Sequence, residues 1–219
     1  MFFPYNVDVP MQRWPIANFG LIGVTIVISV AIMVGLIEPA AWMMIGPGEY
    51  FSIAGLFGSL FTHADIIHLL GNMLFLFVFG NAVNAKLGHA LFLLCYLTIG
   101  AIEGLVWAFV SDGPALGASG AIMGMMGIFI IFYPRNDVSV GYWVWYHHGT
   151  FQISAYVVIV VYFLFDLWGL MTNGDGGVAY LSHISGLLAG FAIASAMALT
   201  KLIESDDCEQ TLFEAIRNR

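Results

Sequence analysis

The sequence predicts an all-α membrane protein with six transmembrane helices and a long first outer loop. Of its 219 residues, 60% are hydrophobic and 9% are charged, and the mean hydropathy is +0.90. In a soluble domain, by contrast, about a quarter of the residues are charged. Apolar segments that could cross a bilayer recur along the whole chain. They are residues 16–37, 66–83, 90–110, 119–132, 153–170 and 180–199.

These segments divide the chain into three parts. A short N-terminus of residues 1–15 comes first, a membrane domain of residues 16–200 follows, and residues 201–219 form a polar tail. The first apolar segment is too long for the core of a signal peptide, and further segments follow it. We therefore expect it to be retained as the first helix of the membrane domain.

Two of the links between segments are long. Residues 38–65 form the first outer loop, whose own apolar run at 51–61 is too short to cross a bilayer. We expect this run to lie in the interface or to dip back into the membrane. Residues 134–152 form the other long link, and its Trp, Tyr and His residues are typical of a membrane–water boundary.

The few basic residues predict the orientation of the chain. With six spans, all of them fall on one side, which the positive-inside rule identifies as the cytoplasm. They are Arg13, Lys86, Arg135, Lys201, Arg217 and Arg219. The opposite links carry acidic residues instead, namely Glu38, Glu49, Asp65, Asp112 and Asp175. Both termini are expected in the cytoplasm, and the lack of a recognisable organelle presequence favours a prokaryotic plasma membrane.

A serine stands at the start of the fourth segment, in Gly117-Ala118-Ser119-Gly120. The segment has about 15 residues before Pro134, or roughly 22 Å of helix, whereas the hydrocarbon core is about 30 Å thick. If Arg135 marks the inner boundary, the helix begins below the outer surface. The Gly-rich link 111–118 must then dip in to meet it, as backbone can when it is buried in protein or lines a wet cavity.

Four polar residues together have the composition of a serine hydrolase site, namely Ser119, His183, His68 and Asn72. All four lie near the outer ends of their segments, and histidine is the usual base for a serine nucleophile. His68 and Asn72 are four residues apart and share one helix face, so that their N–H groups suit a developing oxyanion. Ser119 at a helix N-terminus adds unpaired backbone N–H groups, and Gly117 lets backbone approach a substrate closely.

Small residues recur on the helices that carry the serine and the histidine. In membrane helices, a ridge of small residues lets two backbones approach closely. We therefore expect the fourth and sixth helices to touch, which would bring the hydroxyl within about 3 Å of the imidazole. The ridges consist of Gly120, Gly124 and Gly127 on the fourth helix and Gly186 and Gly190 on the sixth.

Three motifs in this order resemble those of the rhomboid intramembrane serine proteases. They are His68-Leu69-Leu70-Gly71-Asn72, Gly117-Ala118-Ser119-Gly120 and the run His183–Gly190. The resemblance covers nearly the whole chain and implies a compact six-helix bundle that cleaves transmembrane or membrane-anchored substrates through an acyl-enzyme. It implies that Ser119 and His183 form a dyad without a third carboxylate.

The resemblance further implies that His68, Asn72 and the Ser119 backbone N–H stabilise the oxyanion, with Gly117 and Ala118 beside the substrate. It also gives His63 a structural role. The chain departs from the family in two places. Met123 stands where many members carry an aromatic residue against the catalytic histidine, and a thioether orients the ring less tightly. The first outer loop also lacks the Trp-Arg pair of many members, which puts the anchoring of that loop in question.

Some polar residues receive no catalytic role from the motifs. Glu103 in the third segment is unexplained, and the two alternatives are that it pairs with a polar neighbour or stays protonated. Asp166 is expected near an interface, and the acidic stretch 204–209 is expected to be solvated. A disulfide between Cys95 in an apolar segment and Cys208 in the tail is not expected.

Other functions fit the sequence less well. The net charge of −8 comes without a basic cluster, so no nucleic-acid partner is expected. No His-Glu-x-x-His stretch is present, and we expect neither a metal nor another cofactor. A transporter would show an internal repeat with a second broken helix. The main alternative is a non-catalytic rhomboid-like protein that binds or escorts membrane clients, although such relatives usually lack the serine or the histidine. The substrate and the oligomeric state stay open.

Overall fold

The computed structural model describes residues 2–172, 178–203 and 209–218. Three residues named in the sequence analysis lie outside the described residues. They are Asp175 of the last outer link, and Cys208 and Arg219 of the tail. The α-helices are α1 (Ile16–Met33), α2 (Ile53–Gly58), α3 (Ile66–Leu87), α4 (His89–Val110), α5 (Ser119–Phe132), α6 (Ala155–Met171), α7 (Tyr180–Leu199) and α8 (Leu212–Arg217). The strands are β1 (Phe2–Val7), β2 (Asp137–Val144) and β3 (His147–Ser154).

Six apolar helices lie where the sequence predicted membrane segments. In the described part of the chain, α1, α3, α4 and α7 are long and apolar enough to cross a bilayer. Helices α5 and α6 are equally apolar but have 14 and 17 residues. The chain is therefore a multi-pass membrane protein. That all six helices cross the bilayer stays a prediction.

A polar contact fixes α1 against the middle of α3. The helix α3 contains a π turn at Leu76–Gly80, a widened turn that often marks a special local contact. Buried Asn18 of α1 donates its amide to the Leu76 carbonyl at 2.9 Å and to Asn81 Oδ1 at 2.8 Å. Buried polar groups in an apolar core must find such partners, so these bonds set the relative position of the two helices.

The first outer loop folds back onto α4. Its apolar run forms the short helix α2 and a 3₁₀ turn at Ser59–Phe61, in agreement with the prediction that the run is too short to span. Leu60 and Leu56 pack directly over Gly100 and Gly104 of α4, where a larger side chain would collide with them. The loop is thereby anchored by apolar contacts, without the Trp-Arg pair found in many rhomboids.

A three-stranded antiparallel sheet adds to the mainly helical fold, whose helical character agrees with the predicted fold class. Its order is β1-β2-β3, so that the first residues of the chain pair with the link 134–152. Strand β2 alternates apolar and polar residues, with Val138 and Val140 buried, which is the period of a half-buried strand. Trp143 and Tyr146 remain largely exposed. The aromatic composition of this link was recognised, but its strand periodicity was missed.

The C-terminal tail is also more ordered than expected. Glu209 forms an ion pair with Lys86 at the end of α3, and both side chains are almost completely buried. Helix α8 then packs against α5, and a capping box between Thr211 and Glu214 begins it. The expectation that the acidic stretch 204–209 is simply solvated is therefore wrong at Glu209, whereas residues 204–208 lie outside the described part of the chain.

Helices α5 and α7 touch backbone to backbone, as the glycine ridges predicted. A methyl group at Gly186 would overlap the carbonyl oxygen of Gly120, and one at Gly190 would overlap that of Gly124. At Gly127, a methyl group would meet the Leu187 carbonyl oxygen in the same way. These positions leave no room for any side chain between the helices.

We expect Gly190→Ala to destabilise the protein by about 1–3 kcal/mol, the usual cost of overpacking a close-packed interior. Thermal unfolding in detergent measures the effect. Gly23→Ala on α1 is the matched control, because a methyl group there meets nothing within 4 Å. The control should leave the Tm unchanged or raise it, since alanine favours helix over glycine. Equal behaviour of the two variants would contradict the close contact.

Candidate active site

Ser119 and His183 meet across the contact between α5 and α7. Ser119 Oγ lies 2.8 Å from His183 Nε2. They lie next to the point where the backbones of α5 and α7 are in contact, at Gly120 and Gly186. Because Ser119 is the first residue of α5, the N–H groups of the first helical turn have no intrahelical partner. A hydroxyl, an imidazole and free backbone donors are thus gathered at one point.

The link before Ser119 is held by backbone contacts to the first outer loop. Ala115 and Ile45 exchange two hydrogen bonds of 2.9 and 2.8 Å, and Gly117 donates its N–H to the Ser59 carbonyl at 2.9 Å. Gly117 has φ = +121°, a backbone conformation that residues with a side chain rarely adopt. A methyl group at Gly117 would also lie 2.9 Å from His68 Nε2. Glycine is required here for conformation and for space.

His68 and Asn72 lie on one face of α3 and point at the same place. Asp65 caps this helix, because its carboxylate accepts from the N–H groups of Ile67 at 2.8 Å and His68 at 2.9 Å. The N–H of His68 lowers the pKa of the Asp65 carboxyl most, so the cap is charged at neutral pH. Asn72 is buried, and its Nδ2 has no hydrogen-bond partner among the described residues. An unpaired buried donor is costly, so Asn72 is available to a group that enters the site.

A cavity of about 440 Å³ joins these residues. It lies between α3, α5, α6 and α7, and its wall contains His68, Asn72, Ser119 and His183. The rest of the wall is mainly apolar, with Phe75, Met126 and Phe165 among its members. An apolar cavity with a few convergent polar groups is the usual form of a site that binds a partly apolar ligand. Met123 also lines this cavity, at the position where many members of the family that the motifs resemble carry an aromatic residue.

His63 contacts the site from behind. Its Nδ1 lies 3.0 Å from Ser29 Oγ on α1, and Ser29 donates its hydroxyl to the Phe61 carbonyl at 2.9 Å. The ring packs edge-on against His68, with ring centroids 5.0 Å apart. Burial, together with the nearby His68, lowers the pKa of His63 to about 3. These contacts fit the structural role that the resemblance implied.

Glu103 of α4 lies beside the start of α5, close to Ser182 of α7. Its buried side chain packs against Gly120, where a methyl group would lie 2.6 Å from Glu103 Cδ. Glu103, Ser182 and Ser119 line a second, much smaller space below the link 111–118. The sequence left Glu103 without a partner because nothing in the spacing showed that α4 packs behind the nucleophile.

Asp166 contacts the other nitrogen of the histidine. Its Oδ1 lies 3.0 Å from His183 Nδ1, so a carboxylate stands beside the predicted serine–histidine pair. Asp166 is buried against α7 and lines the cavity. A signal was present in the sequence, since a carboxylate inside an apolar segment is a functional candidate by default.

Comparisons with known proteins agree with the resemblance seen in the motifs. Residues 47–199 match the model of the Rhomboid domain. Rhomboid protease GluP of Bacillus subtilis is 33% identical over 159 residues, which are 72% of this chain and 28% of that protein. Putative rhomboid protease YdcA of the same species is 29% identical over 138 residues, or 62% of each protein. Rhomboid protease GlpG of Salmonella choleraesuis is 24% identical over 195 residues, or 88% of this chain and 66% of that protein. The chain thus spans less than two thirds of the length of GluP and YdcA.

The buried His63 predicts a pH dependence of stability. Its folded pKa of about 3 lies below the ordinary 6.5, so the folded state binds fewer protons than the unfolded state between these values. Its contribution is full above pH 6.5 and is lost as the pH falls. Below pH 6.5, this contribution to the free energy of unfolding falls by about 1.4 kcal/mol per pH unit. When the pH is lowered from 7 to 5, we therefore expect the free energy of unfolding to fall by about 2 kcal/mol more in wild type than in His63→Gln.

Chemical or thermal unfolding in detergent at the two pH values measures this difference. His147→Gln is the control, because His147 is exposed in the hairpin and should behave like wild type. Parallel pH dependences for wild type and His63→Gln would contradict the assignment of a neutral, buried His63.

Proposed function

The chain belongs to the rhomboid family, and from this premise we propose that it is an intramembrane serine endopeptidase that cleaves transmembrane or membrane-anchored proteins. The observation that carries the proposal is the 2.8 Å contact between Ser119 Oγ and His183 Nε2. It occurs on the wall of a cavity that also contains the unpaired amide of Asn72. The printed names of the relatives as rhomboid proteases support the same activity.

His183 acts as general base and then as general acid. It takes the hydroxyl proton while Ser119 Oγ attacks the carbonyl carbon of the scissile peptide bond. When the tetrahedral intermediate collapses, the C–N bond breaks and His183 returns the proton to the leaving amine. The acyl group then remains on Ser119 as an ester. A water molecule, deprotonated by His183, attacks this ester and releases the second product and the free serine.

Three donors stabilise the oxyanion of each tetrahedral intermediate. They are the backbone N–H of Ser119, the carboxamide of Asn72 and the imidazole of His68. The unpaired Nδ2 of Asn72 supports this role, because a substrate oxyanion supplies the missing acceptor. Gly117 supports it too, because its lack of a side chain brings the backbone of the link against His68. Gly117 and Ala118 lie beside the bound substrate.

The substrate enters sideways from the bilayer. The cavity lies between α3 and α6, and both helices contribute apolar side chains to its wall, such as Ile67 and Phe165. The resemblance points to a path past α6 and below the link 111–118. Because a peptide in an α-helix cannot present its carbonyl group to a nucleophile, segments with helix-breaking residues are preferred. Water reaches the acyl-enzyme from the outer aqueous phase.

The protein has six spans and keeps both termini in the cytoplasm, in a prokaryotic plasma membrane. The arrangement of the basic residues supports this topology. Lys86 follows His68 by 18 residues in the continuous helix α3, a distance of about 27 Å at the α-helical rise. Arg13 packs against Gly88 next to it, and Arg135 lines a cavity with Leu212 of the tail. These three basic residues therefore lie at the end of the helices away from the site.

Cleavage of a model single-span substrate tests the proposal. We expect Ser119→Ala and His183→Ala to abolish cleavage and to abolish labelling of the protein by a fluorophosphonate probe. Ser195→Ala and His147→Ala are matched controls, because the Ser195 hydroxyl donates to the Phe191 carbonyl of its own helix and His147 is the first residue of β3. Cleavage that survives Ser119→Ala would refute the serine mechanism. Substrate capture without cleavage by wild type would favour the non-catalytic alternative.

Removal of the Asn72 carboxamide tests the oxyanion site. We expect Asn72→Ala to lower kcat by about 10- to 1000-fold, the range found when single oxyanion donors are removed elsewhere. The Tm should not fall, because Nδ2 loses no partner in the resting protein. Asn136→Ala is the control, since Asn136 bonds the Asp8 carbonyl at the sheet, away from the cavity. An unchanged kcat would remove Asn72 from the oxyanion site.

A further inference from the structure

We infer that Asp166 is a positioning residue for His183, so that the site operates as a serine–histidine–aspartate triad. The inference rests on the proposed function, because it concerns the base of that reaction. It assigns a role to a carboxylate on α6 that the motifs of the sequence did not identify. The contacts, the burial and the surroundings of Asp166 each support it.

The two ring nitrogens of His183 have different partners. Nε2 lies 2.8 Å from Ser119 Oγ and Nδ1 lies 3.0 Å from Asp166 Oδ1. A neutral imidazole carries one N–H, and the nitrogen that accepts the serine proton must be the other one. An ionised carboxylate only accepts hydrogen bonds, so at Nδ1 it favours the tautomer in which Nε2 is free to act as base. Asp166 therefore selects the reactive form of the ring.

The same carboxylate favours the charged intermediate. When His183 takes the serine proton, an imidazolium forms within hydrogen-bond distance of Asp166. In a water-poor site, a fixed negative charge stabilises this cation more than it would in water.

The position of Asp166 is costly unless the carboxylate is used. The residue is 6% exposed and belongs to an otherwise apolar helix. Within the described chain, His183 is the hydrogen-bond partner of Oδ1, and Oδ2 has none. Burying a carboxylate with one oxygen that lacks a hydrogen bond lowers stability. A contribution to stability alone therefore does not explain an aspartate at this position.

A structural link between α6 and α7 is the competing explanation. One turn beyond the carboxylate, Gly169 packs directly against the ring of Tyr180, where a methyl group would overlap the ring. The two helices thus have a close apolar contact of their own. If Asp166 only fastened the helices, its loss would lower the Tm and leave the chemistry of the folded protein unchanged. A positioning residue gives the opposite result.

The test compares Asp166→Asn with wild type in two assays. The substitution keeps the shape and removes the charge. We expect fluorophosphonate labelling of Ser119 to become slower. We also expect kcat on a single-span substrate to fall by about 10- to 1000-fold, which is less than the loss of about 10⁴-fold that the same substitution causes in a serine–histidine–aspartate triad. The KM should stay within about threefold, because the acyl-transfer step is affected and substrate binding is not. The Tm should change by no more than a few degrees. Wild-type rates in the Asn variant would overturn the inference.

Two further variants separate the possible outcomes. Asp112→Asn removes an exposed carboxylate from the link above the site and should match wild type in both assays. If Asp166→Asn lowers the Tm, then Asp166→Glu separates loss of the charge from loss of stability, because this variant retains the carboxylate. We expect the Glu variant to label faster than the Asn variant, and equal or slower labelling would overturn the inference. Failure of the proposed function looks different, since wild type would then show no cleavage that depends on Ser119.

Discussion

The geometry of the site depends on the backbone contact between α5 and α7. Hydrocarbon provides no hydrophobic force to press membrane helices together, so close packing has to do it. Here Gly186 and Gly190 leave space for the carbonyl oxygens of Gly120 and Gly124. The serine and the histidine stand at the end of this contact. A hydrogen bond of 2.8 Å tolerates only a few tenths of an ångström, and the glycines below it provide that accuracy without any polar group.

The other polar groups are placed by local devices that surround this contact. Asp65 caps α3 and thereby sets the turn that carries His68. The backbone bridge between Ile45 and Ala115 holds the link 111–118 over the site. His63 joins α1 to the end of the outer loop through Ser29. Each device is small, and each acts on a different segment of the chain. The site is consequently a meeting point of four helices, none of which could form it alone.

The sequence predicted the features that have a strong local signal and missed those that arise from packing. Apolar length located the helices, and the motif spacing brought Ser119 and His183 together with Asn72. The sheet was missed because its first strand pairs with residues more than a hundred positions away, and local composition does not report such a partner. The contact between Asp166 and His183 was missed because it depends on how far α6 is rotated against α7. Hydropathy gives the ends of a helix but not its rotation, so the carboxylate could not be placed.

The position of Asp166 on α6 places the partner of the proposed base on the same helix that borders the cavity. The nucleophile and the histidine are joined by α5 and α7, which cannot separate without losing their glycine contacts. Helix α6 has an exposed apolar surface, including Phe165 and Trp168, and it also packs on α7 where Gly169 meets the ring of Tyr180. The carboxylate beside Nδ1 and part of the apolar wall of the cavity therefore belong to one helix, so a substitution that moved α6 would alter both.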